Sequence, residues 1–333
     1  MAALIEFKNY SMGFQSRKGH VDNLLDHINF TIEEGKAVGI VGESGCGKSM
    51  TSLSIMGLLP EGVKVQGGEI LFQGNDLLKK NRKEMQKIVG KDITMIFQEP
   101  MTSLNPVLTI EKQIGEVLKK HYPNLSNQEV HEKVIKELDA VGIANPEERA
   151  KQYPHQFSGG MRQRVMIAMA IICGPKLLIA DEPTTALDVT IQAQVLDLMK
   201  SLKQNGSLML ITHNLGVVAQ VCDEIVVMYA GRVVEKGTLK DVFDNPKHPY
   251  TQGLMKSIPT LDSVKEDLYT IPGMVPGIRD FPKGCRFAPR CDKVCPECME
   301  QVPPIIQINE KHQVQCFLYN NDIINGKGGE TVG

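Results

Sequence analysis

Four short runs along the chain are apolar at nearly every position: KAVGIV from residue 36, DITMIF from 92, KLLIAD from 176 and SLMLIT from 207. Each is bounded by polar or turn residues and separated from the next by segments of helical spacing. Continuous apolar runs of this length, alternating with helices, predict buried parallel strands in an α/β core. Ahead of them, LIEFKNYSMGF and HINFTIEEG alternate as antiparallel strands do. Between the second and third runs, SNQEVHEKVIKELDAVG puts Val130, Val134, Ile135, Leu138 and Val141 on one helical face. Ser126 and Glu129 open that helix as a capping box, and Gly142 closes it. Residues 106–160 are therefore expected to be an all-helical insertion. From about residue 236 prolines become frequent, and this stretch is expected to be a C-terminal appendage ending in a loose tail, GKGGETVG.

Composition adds little to this picture: 333 residues, 42% hydrophobic, 23% charged, net charge −2. The length allows two or three domains, and the near-zero charge argues against a nucleic-acid coat. The N-terminus lacks the basic-then-apolar order of a secretory signal, and no stretch approaches a membrane span. VMIAMAIICGPKLLIA comes nearest, but Gly174-Pro175 divides it into a helix and a strand. The expectation is a cytosolic protein, with any membrane role exerted through a partner.

The candidate chemistry gathers at the ends of the apolar runs. GESGCGKS, residues 42–49, fits G-x-x-x-x-G-K-[ST] between a strand and a helix, as that motif requires. Glycines allow backbone N–H groups to turn inward on an anion, the helix N-terminus adds partial positive charge, Lys48 supplies a full charge, and Ser49 can ligate Mg²⁺. The third run ends in Asp181, placed to hold Mg²⁺, and Glu182, placed to polarise an attacking water. The second run leads to Gln98 and the fourth to His213, so four strands deliver polar groups to one carboxyl edge, where open parallel sheets bind ligands. Ser158-Gly159-Gly160 precedes a second helix, MRQRVMIAMAIICG, and forms a second anion-binding N-terminus. One nucleotide does not need two such sites from one chain. Two chains facing head to tail would use both.

These residues, in this order, resemble the ATP-binding cassette family. The resemblance makes 42–49 the Walker A loop, Gln98 the Q-loop, Ser158-Gly159-Gly160 the signature, Asp181 with Glu182 the Walker B end, Ala186-Leu187-Asp188 the D-loop and His213 the switch. It implies nucleotide contacts from Gly42, Ser44, Gly45, Cys46, Gly47, Lys48, Ser49 and Met50, adenine stacking by Phe14 (Tyr10 is a near neighbour), and Mg²⁺ held by Ser49, Gln98 and Asp181. Glu182 is the implied base, with Lys48, Gln98 and His213 assisting. The signature departs from LSGGQ at Phe157 and Met161. FQEPMTSLNPV at 97–107, FSGGMRQR and NPKHPYTQGLMKSIP at 245–259 resemble ATP-binding subunits of the peptide/nickel importer branch, and the likeness spans roughly residues 4–318.

The implied fold is α/β: a P-loop ATPase core over 1–105 and 161–235 with an N-terminal antiparallel β subdomain, a helical subdomain over 106–160, and a small Cys-rich extension over 236–333. The implied activity is ATP hydrolysis at a dimer interface, at the cytoplasmic face of the membrane, driving permease subunits beside a second ATPase subunit. A substrate-binding protein is an indirect partner and nucleic acid is not one. The alternatives are a nickel or metal-chelate importer ATPase and a non-transport Fe–S regulatory ATPase.

Of eight cysteines, five crowd into the extension as Cys285-x5-Cys291-x3-Cys295-x2-Cys298-x17-Cys316. In a reducing compartment that reads as a metal site before disulfides. The resemblance to the branch's C-x5-C-x6-C…C pattern selects Cys285, Cys291, Cys298 and Cys316 as ligands of a [4Fe–4S] cluster, with Cys295 spare and zinc the alternative. Arg286 and Arg290 either offset the cluster's charge or are ordinary surface.

Overall fold

A computed structural model describes residues 2–15, 21–97, 103–184, 189–203, 206–258 and 269–320. Strands β1 (Ala3–Gln15) and β2 (Val21–Glu33) pair antiparallel, and β1 also takes β4 (Val63–Phe72) antiparallel, with the two-residue β5 (Asn75–Asp76) at the edge. The larger sheet is built on β3 (Ala37–Val41), β6 (Ile93–Ile96), β7 (Leu177–Asp181), β8 (Ser207–Ile211) and β9 (Glu224–Tyr229), all parallel in the order β9-β3-β8-β7-β6. The four apolar runs are thus four of its five parallel strands. β10 (Arg232–Thr238), β12 (Gln313–Gln315) and β11 (Ile305–Gln307) continue the sheet antiparallel beyond β9.

The runs are apolar throughout because each feeds two cores. Leu178 and Ala180 of β7 and Leu208 and Leu210 of β8 face the helices, while Leu177, Ile179, Met209 and Ile211 face the small antiparallel sheet with Phe7, Tyr10, Phe30 and Ile32. Helices α1 (Lys48–Met56) and α2 (Arg82–Ile88) precede the helical segment, whose α3 (Ile110–His121) and α4 (Asn127–Ala140) bury Ile110, Ile114, Leu118, Val130, Val134 and Leu138 in the helix-side core. The capping box of Ser126 and Glu129 is formed, with the Ser126 N–H donating to the Glu129 carboxylate at 2.8 Å. After the short α5 (Pro146–Arg149) comes α6 (Gly159–Ile171), then α7 (Val189–Lys203) and α8 (Leu215–Val221).

The extension does not stand apart from this body. Its α9 (Leu239–Asp244) and α10 (Pro249–Lys256) place Val242 and Tyr250 in the helix-side core with Phe287, and β11 and β12 extend the main sheet. Its poverty in periodic apolar residues is offset by borrowing the larger core. A buried polar knot fastens the join: Glu235 of β10 accepts from the His312 ring at 2.7 Å and from the backbone N–H groups of Lys247 and His248 at 2.7 and 2.8 Å. His248 caps α10 by accepting from the Tyr250 N–H at 3.1 Å, a role that needs neutral imidazole, and burial lowers its pKa to about 4. No helix among the described residues is long and apolar enough to cross a membrane.

Candidate active site

The carboxyl ends of β3, β7 and β8 lie side by side, and the candidate residues leave from them. After β3 the chain turns through Gly42, Gly45 and Gly47 at φ of 154°, 78° and 99°. A Cβ at Gly42 would stand 2.2 Å from the Met228 carbonyl oxygen, and one at Gly47 would stand 2.5 Å from Leu25. These two glycines are demanded by packing as well as by backbone angle. Gly47 opens α1 in the left-handed region with no side-chain cap, so the first turn keeps its positive end for a ligand. The Lys48 ammonium is buried and donates to the carbonyls of Gly42 at 2.7 Å and Glu43 at 3.1 Å. Ser44 and Gly45 are exposed at the rim. Cys46 is in the core, where burial raises its thiol pKa, and Met50 packs against the same core. Those two residues can offer a ligand only their backbone.

Asp181 at the end of β7 is 4% exposed, and its Oδ1 has no hydrogen-bond partner among the described residues. Burial raises its pKa, against the pull of the Ser49 hydroxyl that donates to it. A buried carboxylate oxygen left bare beside a serine hydroxyl is the donor set a hard cation such as Mg²⁺ takes up. Glu182 follows with φ of 48°, a left-handed conformation costly for a non-glycine residue and common at functional sites. Its N–H donates to the Ile211 carbonyl of β8 at 2.8 Å, so strand pairing holds the strained turn. Its Oε1 accepts from the His213 backbone at 3.2 Å and lies 2.8 Å from His213 Nδ1. The glutamate side chain is 11% exposed and the histidine 66%, so the ring is pinned at one nitrogen and open on the other side. The structure therefore brings together Lys48, Ser49, Asp181, Glu182 and His213.

Other expected residues lie apart or outside. Ser158 caps α6, its hydroxyl accepting from the Met161 N–H at 3.3 Å, and no hydrogen bond ties it to the 42–49 loop among the described residues. A Cβ at Gly159 would meet open space, so that helix end is unobstructed. Gln98 and the 186–188 triplet lie outside the described residues. Tyr10 is fully buried and donates to Ser54 at 3.0 Å, which removes it as a stacking surface, whereas Phe14 is 41% exposed. Gln163 was not singled out from the sequence: its amide donates to the Pro183 carbonyl at 2.9 Å and ties α6 to the residue after Glu182. Two residues 20 apart with no shared motif give no local signal of this.

In the extension, Cys295 and Cys298 sulfurs stand 3.2 Å apart, and the Cys285 N–H donates to the Cys298 carbonyl at 2.8 Å. Burial pushes the Cys316 thiol up to about 12, with the charges of Cys285, Cys291 and Cys298 adding to the rise. Burial also raises Cys295, to about 11, helped by its bond to Cys298. Among the described residues no three His, Cys, Asp or Glu side chains are grouped closely enough for a metal ion, so neither the expected cluster nor the zinc alternative finds a preformed site. The arginine that acts on these thiols is Arg232, which opposes the burial-driven rise at Cys285. Arg286 is buried against Asp26, and Arg290 against Glu43, so neither is ordinary surface.

Comparison with known proteins gives the family. The family described as "ABC transporter" matches residues 25–185, and the one described as "Oligopeptide/dipeptide transporter, C-terminal region" matches 234–298. The chain is 50% identical to the oligopeptide transport ATP-binding protein AppD of Bacillus subtilis over 97% of this chain and 98% of that protein. It is 48% identical to OppD of Haemophilus influenzae over 96% and 98%. Among solved structures, the ATP-binding cassette MJ0796 in a dimeric post-hydrolysis state with ADP and Pi is 27% identical, with a TM-score of 0.63 over 71% of this chain and 98% of that one.

Proposed function

The chain belongs to the ATP-binding cassette family of transporter ATPases, and we propose that it is the subunit that hydrolyses ATP to power import of peptides. The observation that carries this is the joint presence of the Lys48–Asp181–Glu182–His213 constellation and of an extension of the oligopeptide/dipeptide type. Lys48 and the loop amides hold the phosphates. Ser49 and Asp181, with Gln98 as the third proposed ligand, would hold Mg²⁺, which when bound would supply positive charge to the phosphate oxygens. Glu182 takes the proton of the attacking water, and His213 contacts the γ-phosphate with the ring face it leaves open. Phosphoryl transfer of this kind is positioning and electrostatics above all. Ser158, Gly159 and Gly160 close over the nucleotide of a facing ATPase subunit, and Phe14 stacks on the base. In the domain scheme proposed here, the core spans 1–105 and 161–235, the helical subdomain spans 106–160 and meets the permease, and the extension spans 236–333. The protein works at the cytoplasmic face of the membrane.

For the extension we propose a [4Fe–4S] cluster on Cys285, Cys291, Cys298 and Cys316. What supports it is the C-x5-C-x6-C…C spacing shared with the branch, with Cys285, Cys291 and Cys298 near enough for their charges to act on Cys316. Cys295 is the spare.

Reconstitution with permease subunits in liposomes tests the transport reading. ATP-dependent uptake of labelled di- and oligopeptides, lost in Lys48→Ala, is expected. Uptake of a nickel chelate and not of peptides would overturn it in favour of the metal-importing alternative, and ATPase activity indifferent to permease would favour the regulatory one.

A further inference from the structure

Glu43, the second residue of the 42–49 loop, is held on three sides. Its carbonyl accepts from Lys48. Its N–H donates to the Tyr250 hydroxyl at 2.8 Å, and its carboxylate takes a two-point contact from Arg290, at 2.6 Å from Nη1 and 3.1 Å from Nη2. Two of these three partners belong to the extension. Arg290 is itself fixed: Nε donates to the Pro272 carbonyl at 2.8 Å, Nη2 to the Ile271 carbonyl at 3.2 Å and Nη1 to the Tyr229 hydroxyl at 3.4 Å. Its guanidinium also stands 5.8 and 6.0 Å from the Tyr229 and Phe287 ring centres. The Arg290 side chain is 5% exposed and Glu43 27%.

A fork-on-carboxylate contact fixes orientation as well as distance, and one this sheltered escapes most salt screening. An arginine needed only to fasten the extension could use any carboxylate of the body, as Arg286 uses Asp26 on β2. Arg290 instead grips the loop that turns back on the phosphates, at the residue whose carbonyl is a resting partner of Lys48. The same residues wall one cleft: Gly42, Glu43 and His213 on one side, Ile271, Gly273 and Arg290 on the other.

We propose that Arg290 is a positioning residue for the ATPase reaction: with Tyr250 it holds Glu43, and through Glu43 the phosphate loop, so that the extension sets how tightly nucleotide is bound. The inference rests on the 42–49 loop being the nucleotide site, which binding of Mg·ADP to the unaltered protein tests by itself. Given that binding, Arg290→Ala in the full chain is expected to weaken Mg·ADP affinity about tenfold, the scale of one well-made charged contact. KM for ATP should rise by a similar factor, with kcat within about twofold, since no reacting atom is touched. Arg290→Lys keeps the charge without the fork and should recover part of the affinity. Glu43→Gln leaves Arg290 its backbone acceptors and should weaken Mg·ADP binding as well, and the double variant should be no weaker than the weaker single one. Additive losses, or wild-type affinity in Glu43→Gln, would overturn the proposal. So would Arg290→Ala that binds Mg·ADP normally while its extension becomes protease-sensitive, the mark of a mere fastener. If Arg290→Ala does not fold, Glu43→Gln decides the question alone.

Discussion

Two buried carboxylates, one at the nucleotide site and one at the root of the extension, are treated in opposite ways. Glu235 accepts from a histidine ring and two backbone N–H groups. Asp181, buried almost as deeply, has one oxygen without a partner among the described residues. The first arrangement is complete and rigid. The second is incomplete, and beside it Glu182 holds a strained backbone. A fold tolerates such defects where a ligand will later remove them, because leaving a buried acceptor unpaired costs about 1–3 kcal/mol. At the candidate nucleotide site one buried carboxylate oxygen thus lacks a partner among the described residues, while at the root of the extension both Glu235 oxygens are engaged.

The largest effect should come from the thiols of the proposed cluster. Cys316→Ser should abolish iron binding and expose residues after about 260 to protease while Mg·ADP binding at Lys48 persists, because ligands drawn from distant positions become a site only in the folded chain. Anaerobically purified protein should carry about four irons, as one cluster of this type requires, and Cys295→Ser should keep them. Zinc instead of iron, or iron lost from the Cys295 variant and kept by Cys298→Ser, would break this part of the comparison.

The two carboxylates should then respond with opposite signs. Glu235→Gln should destabilise the chain by about 2–3 kcal/mol, since buried donors lose their acceptor. Asp181→Asn should stabilise the nucleotide-free protein. Burial holds the Asp181 carboxyl above its ordinary range. The folded chain therefore binds that proton more tightly than the unfolded one, and stability present at low pH is lost as pH rises through the raised value. The asparagine variant should melt about 2–4 °C higher at neutral pH, with the gain vanishing towards pH 4, and should lose the extra protection that Mg²⁺ gives to nucleotide-bound protein. Thermal scans across pH, with both variants moving the same way, would erase the distinction.

The nucleotide site was legible because its chemistry is local. Glycine spacing, an adjacent lysine and serine, and apolar runs ending in Asp181, Glu182 and His213 announce strands that end at one edge. The capping box at Ser126 is local in the same sense. What could not be read was long-range. Arg290 and Glu43 are 247 positions apart and Gln163 and Pro183 twenty. The pattern from residue 236 onward showed prolines and thiols but not that β11 and β12 would join the main sheet. A strand of three residues leaves no periodicity to detect, and the eight-residue helix that carries Tyr250 buries Pro249, Thr251 and Gly253 beside it, which is not an apolar stripe.

The central claim is that Glu182 takes the proton from water while Lys48 and the loop hold the phosphates independently of it. Single-turnover hydrolysis of Mg·ATP by Glu182→Gln, set beside its nucleotide affinity, tests this most directly. Affinity is expected within about twofold of the unaltered protein and hydrolysis slower by roughly 10²–10⁴-fold, the range for loss of a general base. Near-normal hydrolysis in that variant, or a loss of affinity that accounts for the slower rate, would contradict it.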